Sequence, residues 1–572
     1  MNHVFELYFS TNNIKLAYRR IWCWSDRMIK DSVGLKAFGA NLNKNAQDLS
    51  GKIITQKYKP QKGFKFYAPK SSGTQRTKTL LFIEDALVYQ CIANIVAERA
   101  YPLLHENDDF VYGSVLIPEV EQGIEILKSS NPNFFFFKFW KSLYAQFKNS
   151  VIKAIEEDKA THKFETDITG FFDSIPHYNL LMTLSEKFNI EDEILDLLSV
   201  CLNAWSGTKD RSTPGVGIPQ GPNPSFLFAN ILLYDLDKMV IDEAHKYYRY
   251  MDDIHIYGYS KEALIDVLVK IDNYLKGHGL SINSKKTKIE RIDPNKEDNT
   301  VKQLKRFDVL TDSYDGLSFE INPDPNNSNV ISTLSIDIAK NLSSLSDQTN
   351  EFLNESIPDS ISSREEILAF WRKEIHEVEK ELPKLFKKNS NELLKPNETD
   401  DIDFIRLSAK YGIALQALNE FEKVEGEIKL LPYWLFALKK YFWRVQNYVI
   451  TLQYYRNNED LKNNLITLYE FGKNYESYRY HIVICLNYNF KHSDRELREY
   501  FKWIKTEDSD LVKYALYMLI IKGSVDGQLN RSLKLHLSKE QSQYLKIMVL
   551  SYWKNNRNRS ETMHELINSV GL

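Results

Sequence analysis

The sequence has few cysteines, and none of them has the Cys-x-x-Cys spacing of a zinc site. Its four cysteines lie far apart, at Cys23, Cys91, Cys201 and Cys485. Such wide spacing argues against both a structural zinc site and a disulfide framework. Thiols that lack such partners are typical of proteins in a reducing compartment, so we expect a cytoplasmic protein.

Long apolar runs and a strong net charge are also missing. The most apolar patch is a run of four phenylalanines at 134–137, far shorter than the roughly 20 residues that cross a bilayer. The N-terminal sequence has no basic segment followed by an apolar run, so we expect no signal peptide and no membrane partner. Because the net charge is only −3, any contact with nucleic acid must use local basic patches.

The chain is long enough for several domains, and its hydrophobic pattern changes along its length. It has 572 residues, of which 43% are hydrophobic and 26% charged, an ordinary globular balance. Strand and helix signals alternate up to a last predicted strand at 316–321, and a linker-like cluster follows at 322–328. Beyond the linker, apolar residues recur mainly at helical spacing. The sequence therefore predicts an α+β region at 1–325 and an all-α region at 326–572, with an α-repeat as one form.

The stretch Tyr250-Met251-Asp252-Asp253 places two adjacent carboxylates within a run that otherwise favours strands. Neighbouring side chains in one strand face opposite ways. A tight turn at Met251 and Asp252 would instead bring one or both carboxylates to the tip of a hairpin. Hard divalent cations prefer such oxygen ligands. Taken alone, an Asp-Asp pair is more often a solvated turn, so other residues must decide between the two interpretations.

A third carboxylate, Asp167, ends a predicted strand at 163–167. Two divalent ions held by carboxylates clamp the attacking and leaving oxygens of an in-line phosphoryl transfer. We expect Asp167 and Asp252 to bind two Mg²⁺ ions, with Mn²⁺ as the alternative. Asp253 would assist them, and the carbonyl oxygen of Ile168 would add a ligand.

Basic residues occur in two places that suit this chemistry. Residues 51–83 contain eight Lys or Arg and no Asp or Glu, and their alternation predicts a β-hairpin. On this hairpin Lys65 and Arg76 would hold a triphosphate, while the alternative is a solvated charged face. A short strand predicted at 280–289 carries Lys286, which is placed to donate a proton to departing pyrophosphate.

Several motifs occur in a fixed order along residues 13–321. They are Pro69, Lys70, Gly73 and Arg76; Asp-Ile-Thr-Gly-Phe-Phe-Asp at 167–173; Pro-Gln-Gly at 219–221 with Ser225 and Asn230; Tyr-Met-Asp-Asp at 250–253; Gly-Leu-Ser-Ile-Asn at 279–283 with Lys286 and Thr287; and a weaker Leu-Ser-Phe at 317–319. In this order they resemble the reverse transcriptases, within the palm-and-fingers polymerases.

The resemblance implies a right-hand-like polymerase, with the fingers mainly at 1–105 and the palm mainly at 106–325. It implies that Gln220 lies in the loop beneath the nucleotide and the template. It also implies that Phe172, five residues after Asp167, is a steric gate, because a bulky ring there would collide with a ribose 2′-hydroxyl. The alternative for Phe172 is plain core packing.

The sequence departs from the family pattern in one motif and in its C-terminal region. In the motif formed by Pro-Gln-Gly at 219–221 and Ser225, the residue after the serine is usually a proline, but here it is Phe226. In the C-terminal region, the sequence shows no Cys-rich endonuclease module. The long helical region instead resembles the bacterial abortive-infection and defence-associated reverse transcriptases. This resemblance implies an antiphage DNA polymerase, with untemplated, protein-primed synthesis as one form of the reaction.

Two other functions stay open on the sequence alone. The first is templated copying of a partner RNA by an RNA-directed DNA polymerase. The second is an inactive scaffold that binds nucleic acid. The joint presence of the three aspartates, Lys286 and Arg76 argues against this alternative. The expected partners are dNTPs, a DNA product, an RNA or DNA template, and further copies of the chain bound through the helical region.

Overall fold

The computed structural model of the chain describes most of its residues. They are residues 2–23, 32–70, 72–130, 132–138, 140–209, 211, 213–243, 246–293, 298, 300–301, 364–388, 394–396, 401–419, 422–524 and 527–555. The strand predicted at 316–321, the linker predicted at 322–328 and the boundary at 325 therefore lie outside the described residues.

The chain divides into two compact units. The first comprises Met1–Phe66 and Thr77–Lys305, and the second comprises Tyr67–Arg76 and Arg306–Leu572. The short segment at 67–76, which is the tip of the predicted basic hairpin, thus groups with the C-terminal part of the chain.

The first unit combines α-helices with a small antiparallel sheet. Its described α-helices are α1 (Asn2–Tyr8), α2 (Thr11–Cys23), α3 (Ser32–Gly39), α4 (Leu42–Ile54), α5 (Ile83–Leu104), α6 (Trp140–Glu156), α7 (Phe171–Ser174), α8 (His177–Phe188), α9 (Asp192–Trp205), α10 (Asn223–Leu232), α11 (Tyr234–Asp242) and α12 (Lys261–Gly277). Short 3₁₀ segments lie at His105–Asn107 and Pro118–Lys128.

The described strands of the N-terminal half form two sheets. They are β1 (Phe64–Pro69), β2 (Gln75–Leu80), β3 (His162–Asp167), β4 (Lys246–Tyr250), β5 (Asp253–Gly258) and β6 (Lys288–Arg291). β1 and β2 pair as the predicted hairpin, and the other strands form a sheet in the order β4-β5-β3-β6. Each neighbouring pair in this sheet is antiparallel.

Both faces of the four-stranded sheet are covered, because its side chains alternate between two apolar clusters. Ile254 and Ile256 of β5 join the large core that also contains most of α5 and α10. Tyr257 points the other way, into a smaller cluster with Phe147 of α6. Helix α5 is buried on nearly every side, so it serves as the central helix of this unit.

The second unit is mainly helical, as the sequence predicts. Its described α-helices are α13 (Arg364–Glu381), α14 (Asp401–Asn419), α15 (Leu431–Lys440), α16 (Val445–Leu452), α17 (Glu459–Phe471), α18 (Glu476–Asn489), α19 (Asp494–Thr506), α20 (Asp510–Gly523), α21 (Gly527–Lys539) and α22 (Gln543–Asn555), with 3₁₀ turns at Leu382–Leu385, Ile428–Leu430 and Phe442–Arg444. These helices share one hydrophobic core.

Two details of the second unit differ from the prediction. It is not entirely helical, because β7 (Phe386–Lys388) and β8 (Leu394–Pro396) pair as a short antiparallel hairpin. Two of its helices, α18 and α21, were also not predicted. Helix α21 carries Leu529, Leu533 and Leu537 at helical spacing. Helix α18 differs from it. It is buried on most of its sides, including polar Ser477 and Asn487, so its sequence has no single apolar stripe at helical spacing. Within the described part of the chain, no helix combines the length and the apolarity needed to cross a membrane.

A capping interaction at the start of α19 gives a prediction about the stability of the second unit. The Ser493 side chain accepts a hydrogen bond from the Glu496 amide, and the Glu496 carboxylate accepts one from the Ser493 amide. Ser493→Ala should weaken the first turn of α19 by about 1 kcal/mol, which speeds its amide exchange about fivefold. Hydrogen exchange with mass spectrometry measures this change.

Thr467→Ala is the matched control, because Thr467 is an exposed residue inside α17 and caps nothing. This control should leave local exchange unchanged or slower, since alanine is the better helix former. Equal exchange at α19 in the wild type and in Ser493→Ala would contradict the predicted role of the cap.

Candidate active site

Asp167 and Asp253 face each other across the β3–β5 ladder. The register of this antiparallel pair runs from His162 opposite Gly258 to Asp167 opposite Asp253. Residues directly opposite in antiparallel strands carry their side chains on the same face, with Cβ atoms about 4.5–5.5 Å apart. The pairing of the two strands therefore brings two of the three predicted aspartates together.

The turn between β4 and β5 brings in the third aspartate. Met251 and Asp252 form this turn, and Met251 has a φ of 56°, a left-handed conformation that is unfavourable for a residue with a side chain. The Ile168 amide donates to the Asp252 carbonyl over 3.2 Å. The hairpin tip expected from the sequence is thus present, and the residue that follows β3 is hydrogen-bonded to it.

Gly113 lies against this turn at a distance that only a glycine allows. A Cβ atom added at Gly113 would stand 2.3 Å from the Met251 backbone nitrogen and 2.8 Å from the Met251 Cγ. A single sequence carries no signal that could reveal a close approach between segments so far apart.

Lys286 reaches Asp167, although the strand predicted around Lys286 is shorter than expected. The predicted strand at 280–289 was wrong in its extent, because β6 covers only Lys288–Arg291. The amides of Lys286 and Thr287 both donate to the Asn283 carbonyl, and this turn interrupts the ladder. It places the Lys286 side chain beside the end of β3.

The ammonium of Lys286 lies in the field of all three aspartates. Its Nζ donates to Asp167 Oδ2 over 2.7 Å. This hydrogen bond raises the pKa of Lys286 above its ordinary value, and the nearby charges of Asp253 and Asp252 raise the pKa further. Lys286 is therefore protonated at neutral pH, as a proton donor must be.

The second oxygen of Asp167 is suited to a cation. Asp167 Oδ1 is buried and has no hydrogen-bond partner, and a buried carboxylate oxygen left in that state is unfavourable. Within the described parts of the chain, no three His, Cys, Asp or Glu side chains lie close enough together to form a metal-binding group. The chemistry of the donors fits a divalent ion, and the carbonyl of Ile168 stays a predicted ligand.

The glycine-rich loop at 215–221 packs against the segment that follows Asp167. The Ile218 amide donates to the Phe172 carbonyl over 2.8 Å, and the Gly217 amide donates to the Ile175 carbonyl over 2.7 Å. Gly217 has a φ of 89°, and a Cβ there would lie 3.1 Å from the Asp173 carbonyl oxygen. The loop therefore follows the turn after β3 closely.

Phe172, the predicted steric gate, is mostly buried beneath this loop. Its ring packs edge-to-face on Phe226 with centroids 5.3 Å apart and also contacts Phe171. Phe226 is the residue that departs from the family pattern. The phenylalanine that stands at 226 in place of the usual proline thus supports the ring of Phe172.

Lys65 and Gln220 are linked through one residue of the hairpin. Lys65 Nζ donates to Thr79 Oγ1 over 2.6 Å, and the Thr79 amide donates to the Gln220 carbonyl over 3.1 Å. Lys65 is only 7% exposed, and burial lowers the pKa of Lys65 to about 8 although the charge of Asp173 opposes this shift. Arg76 is exposed on β2, and triphosphate binding by both cations stays a prediction.

Comparison with known proteins agrees with the motifs. Residues 87–317 match the family model described as "Reverse transcriptase (RNA-dependent DNA polymerase)". This part of the chain is a reverse transcriptase domain. The matched range contains all three aspartates, Lys286 and the glycine-rich loop. The bacterial defence subtype is a finer assignment that this match does not address.

One curated relative matches a smaller part of the chain. The uncharacterized 91 kDa protein in the cob intron of Schizosaccharomyces pombe is 27% identical over 220 residues, which is 37% of this chain and 24% of that protein. The chain thus spans about a quarter of that relative's length.

Among solved structures, telomerase from Candida albicans, bound to a fragment of telomeric RNA, has a TM-score of 0.29 and 10% identity, covering 90% of this chain and 65% of that chain. Apo telomerase from Candida tropicalis has a TM-score of 0.29 and 11% identity, covering 91% and 73%.

The close contact at Gly113 gives a prediction about the turn. Gly113→Ala should push the Met251 backbone away and destabilise the first unit by about 1–3 kcal/mol, the usual cost of overpacking. It should also lower Mn²⁺ binding, because the turn carries Asp252. Thermal unfolding and titration calorimetry measure the two effects.

Gly51→Ala is the control for this substitution, because Gly51 is exposed within α4 and a Cβ there would meet nothing within 4 Å. The control should be as stable as the wild type or more stable. If Gly113→Ala matched the control in both measurements, the contact would not constrain the turn.

Proposed function

We propose that this protein is a DNA polymerase of the reverse-transcriptase type, which joins deoxynucleotides by phosphoryl transfer at Asp167, Asp252 and Asp253. The observation that carries the proposal is the direct pairing of Asp167 with Asp253 across the β3–β5 ladder, beside an ammonium group from Lys286. An inactive scaffold would have no use for a buried carboxylate oxygen without a partner next to two further carboxylates.

The residues of the site divide the work of the reaction among them. Asp167 and Asp252 would hold two Mg²⁺ ions, with Asp253 assisting. Such ions, when bound, stabilise the charge that develops on the attacking and leaving oxygens. Lys286 is protonated at neutral pH and would give its proton to the departing pyrophosphate. Manganese is the alternative metal, because it prefers the same oxygen ligands.

Substrate recognition would use the loop and the hairpin. Lys65 and Arg76 would bind the triphosphate, and Gln220 would lie beneath the incoming nucleotide. Since Lys65 is buried and its pKa is about 8, a bound triphosphate would favour its charged form. Phe172 would exclude ribonucleotides by contact with their 2′-hydroxyl group.

The proposal predicts that the paired carboxylates are essential. Asp252→Asn together with Asp253→Asn should lower deoxynucleotide incorporation by about a thousandfold, because the loss of the charged ligands removes roughly 4 kcal/mol of transition-state stabilisation. A primer-extension assay with Mg²⁺ measures this loss. Asp266→Asn, at an exposed position on α12, is the control and should keep full activity. A double variant that still polymerises at the wild-type rate would show that the active site lies elsewhere.

The proposal also predicts how Phe172 acts on sugar selection. Phe172→Val should raise the use of ribonucleotides relative to deoxynucleotides, measured as the ratio of kcat/KM for the two substrates. Phe171→Val is the matched control, because Phe171 is an adjacent buried ring without the spacing of the gate. If both variants kept the wild-type ratio while remaining active, Phe172 would be core packing only.

Two modes of synthesis fit this active site. In one, the protein makes DNA without a template and from a hydroxyl group of a protein. In the other, it copies a partner RNA. Sequencing the nucleic acid that co-purifies with the protein, including DNA attached to it covalently, separates them. DNA of random sequence on the protein supports the first mode, and DNA complementary to one bound RNA supports the second.

The biological role that we propose is antiphage defence through abortive infection. Its support is the long helical C-terminal region and the resemblance of the sequence to defence-associated enzymes. We also propose that this region joins copies of the chain into an oligomer. Bacteria that express the wild type should survive phage challenge better than those that express the Asp252 and Asp253 double variant, and light scattering on the purified protein measures its assembly.

A further inference from the structure

A buried arginine lies directly beside the turn of the candidate active site. Arg249 is on β4, two residues before Met251, and its side chain is fully buried. None of the chemistry proposed above uses it. Because burying a charge costs several kcal/mol unless it is paired and hydrogen-bonded, the partners of Arg249 indicate why it is there.

One side of the guanidinium group is held by a helix. Arg249 Nε and Nη2 donate to the two carboxylate oxygens of Asp237, over 2.7 and 2.6 Å. Asp237 lies on α11, its side chain is only 2% exposed, and it also accepts a hydrogen bond from the Tyr247 hydroxyl over 2.5 Å. Such a two-pronged pair fixes the plane of the guanidinium group.

The remaining terminal nitrogen of Arg249 holds the turn itself. Nη1 donates to the Met251 carbonyl over 2.8 Å and to Asn230 Oδ1 over 3.0 Å. The Asn230 side chain in turn donates to the Gly113 carbonyl over 2.8 Å. One rigid group therefore connects the turn to α10, to α11 and to the segment that packs against the turn.

The bond to the Met251 carbonyl controls where Asp252 points. This carbonyl belongs to the peptide that joins Met251 to Asp252, so its direction sets the orientation of that peptide. Met251 is left-handed, a conformation that costs about 1–2 kcal/mol and persists only where the surroundings fix it. On the far side of the peptide, the Asp252 carbonyl accepts from the Ile168 amide. The turn is thus held from both sides.

We propose that Arg249 is a positioning residue for the polymerase reaction: anchored by Asp237, it holds the Met251 carbonyl and thereby keeps Asp252 and Asp253 in place beside Asp167. This inference rests on the proposed function. In this role Arg249 would act through the turn and not through a contact of its own with substrate or metal.

The competing explanation is that Arg249 and Asp237 are merely a buried ion pair of the core. The double variant Arg249→Met with Asp237→Leu separates the two explanations. Replacing both members of a buried pair by apolar residues of similar size is often neutral for stability, so the fold should persist. If the pair served only stability, metal binding and catalysis would persist as well.

We expect instead that the folded double variant binds Mn²⁺ about 10–100-fold more weakly, the usual effect of losing a group that orients metal ligands. Titration calorimetry without nucleotide measures this. In primer extension kcat should fall by a similar factor, while the KM for dNTP should stay within about twofold. Wild-type Mn²⁺ affinity together with wild-type kcat in the double variant would overturn the inference.

Two further variants complete the experiment. Arg20→Met removes another buried arginine of the same unit, one that donates to Asn94, and should leave Mn²⁺ affinity unchanged. Arg249→Lys is the second test if the double variant fails to fold. Its single ammonium group can pair with Asp237 but lacks the fork that also reaches Met251. It should bind Mn²⁺ about 10–100-fold more weakly than the wild type, and wild-type affinity would contradict the inference.

A measurement without metal keeps this inference separate from the proposed function. Amide exchange in the peptide at 247–258 should be faster in the Arg249 variants than in the wild type or in Arg20→Met, because the turn opens more often. If the wild type bound no Mn²⁺, the proposed metal site would be wrong, and the exchange data would still decide whether Arg249 holds the turn. Unchanged amide exchange in the Arg249 variants would show that Arg249 does not hold the turn.

Discussion

The pairing register of β3 with β5 is the constraint on which the candidate active site depends. Asp167 and Asp253 meet because they are the last pair of this ladder. Side chains alternate along a strand, so a slip of one residue would send Asp253 to the opposite face and Ile254 into its place. The apolar core prevents that slip, because Ile254 and Ile256 are fully buried on the other side of β5. Hydrophobic burial thus fixes the geometry of the charged residues.

The β3–β5 ladder alone cannot bring both Asp252 and Asp253 to the candidate site, and the turn between β4 and β5 makes this possible. Asp252 and Asp253 are neighbours, and in a continuous strand they would face opposite ways. The left-handed Met251 breaks the alternation at the end of the ladder. A conformation of this kind is stable only where other groups leave it no alternative. Gly113 has no side chain and therefore leaves room for the turn. The guanidinium group of Arg249 donates a hydrogen bond to the Met251 carbonyl.

The sequence predicts those parts of the site that depend on local pattern. The strands around the turn and the basic hairpin can both be predicted from periodicity and turn residues. The mainly helical C-terminal region is confirmed, although helices α18 and α21 are missing from the prediction. A helix buried on most of its sides has no stripe to detect, and Lys286 lies in a turn where a strand was expected.

What the sequence could not predict depends on contacts between distant segments. Arg249 looks like one more polar residue of a strand, and Asp237 looks like an exposed acid of an amphipathic helix. Only the fold shows that the two meet in the core and that one guanidinium nitrogen is left for the turn. The sequence also does not show why Phe226 stands in place of the usual proline. In the fold, the ring of Phe226 packs against Phe172.

The electrostatics of the site point to an exchange of cations at Asp167. Three carboxylates close together repel one another, and the ammonium of Lys286 relieves that repulsion through Asp167 Oδ2. Asp167 Oδ1 stays buried and without a hydrogen-bond partner, so one oxygen is satisfied while the other is available to a cation. A divalent ion bound there would weaken the attraction between Lys286 and Asp167, because both cations draw on one carboxylate charge. In the proposed reaction, Asp167 would hold the ion, and Lys286 would supply the proton for the departing pyrophosphate.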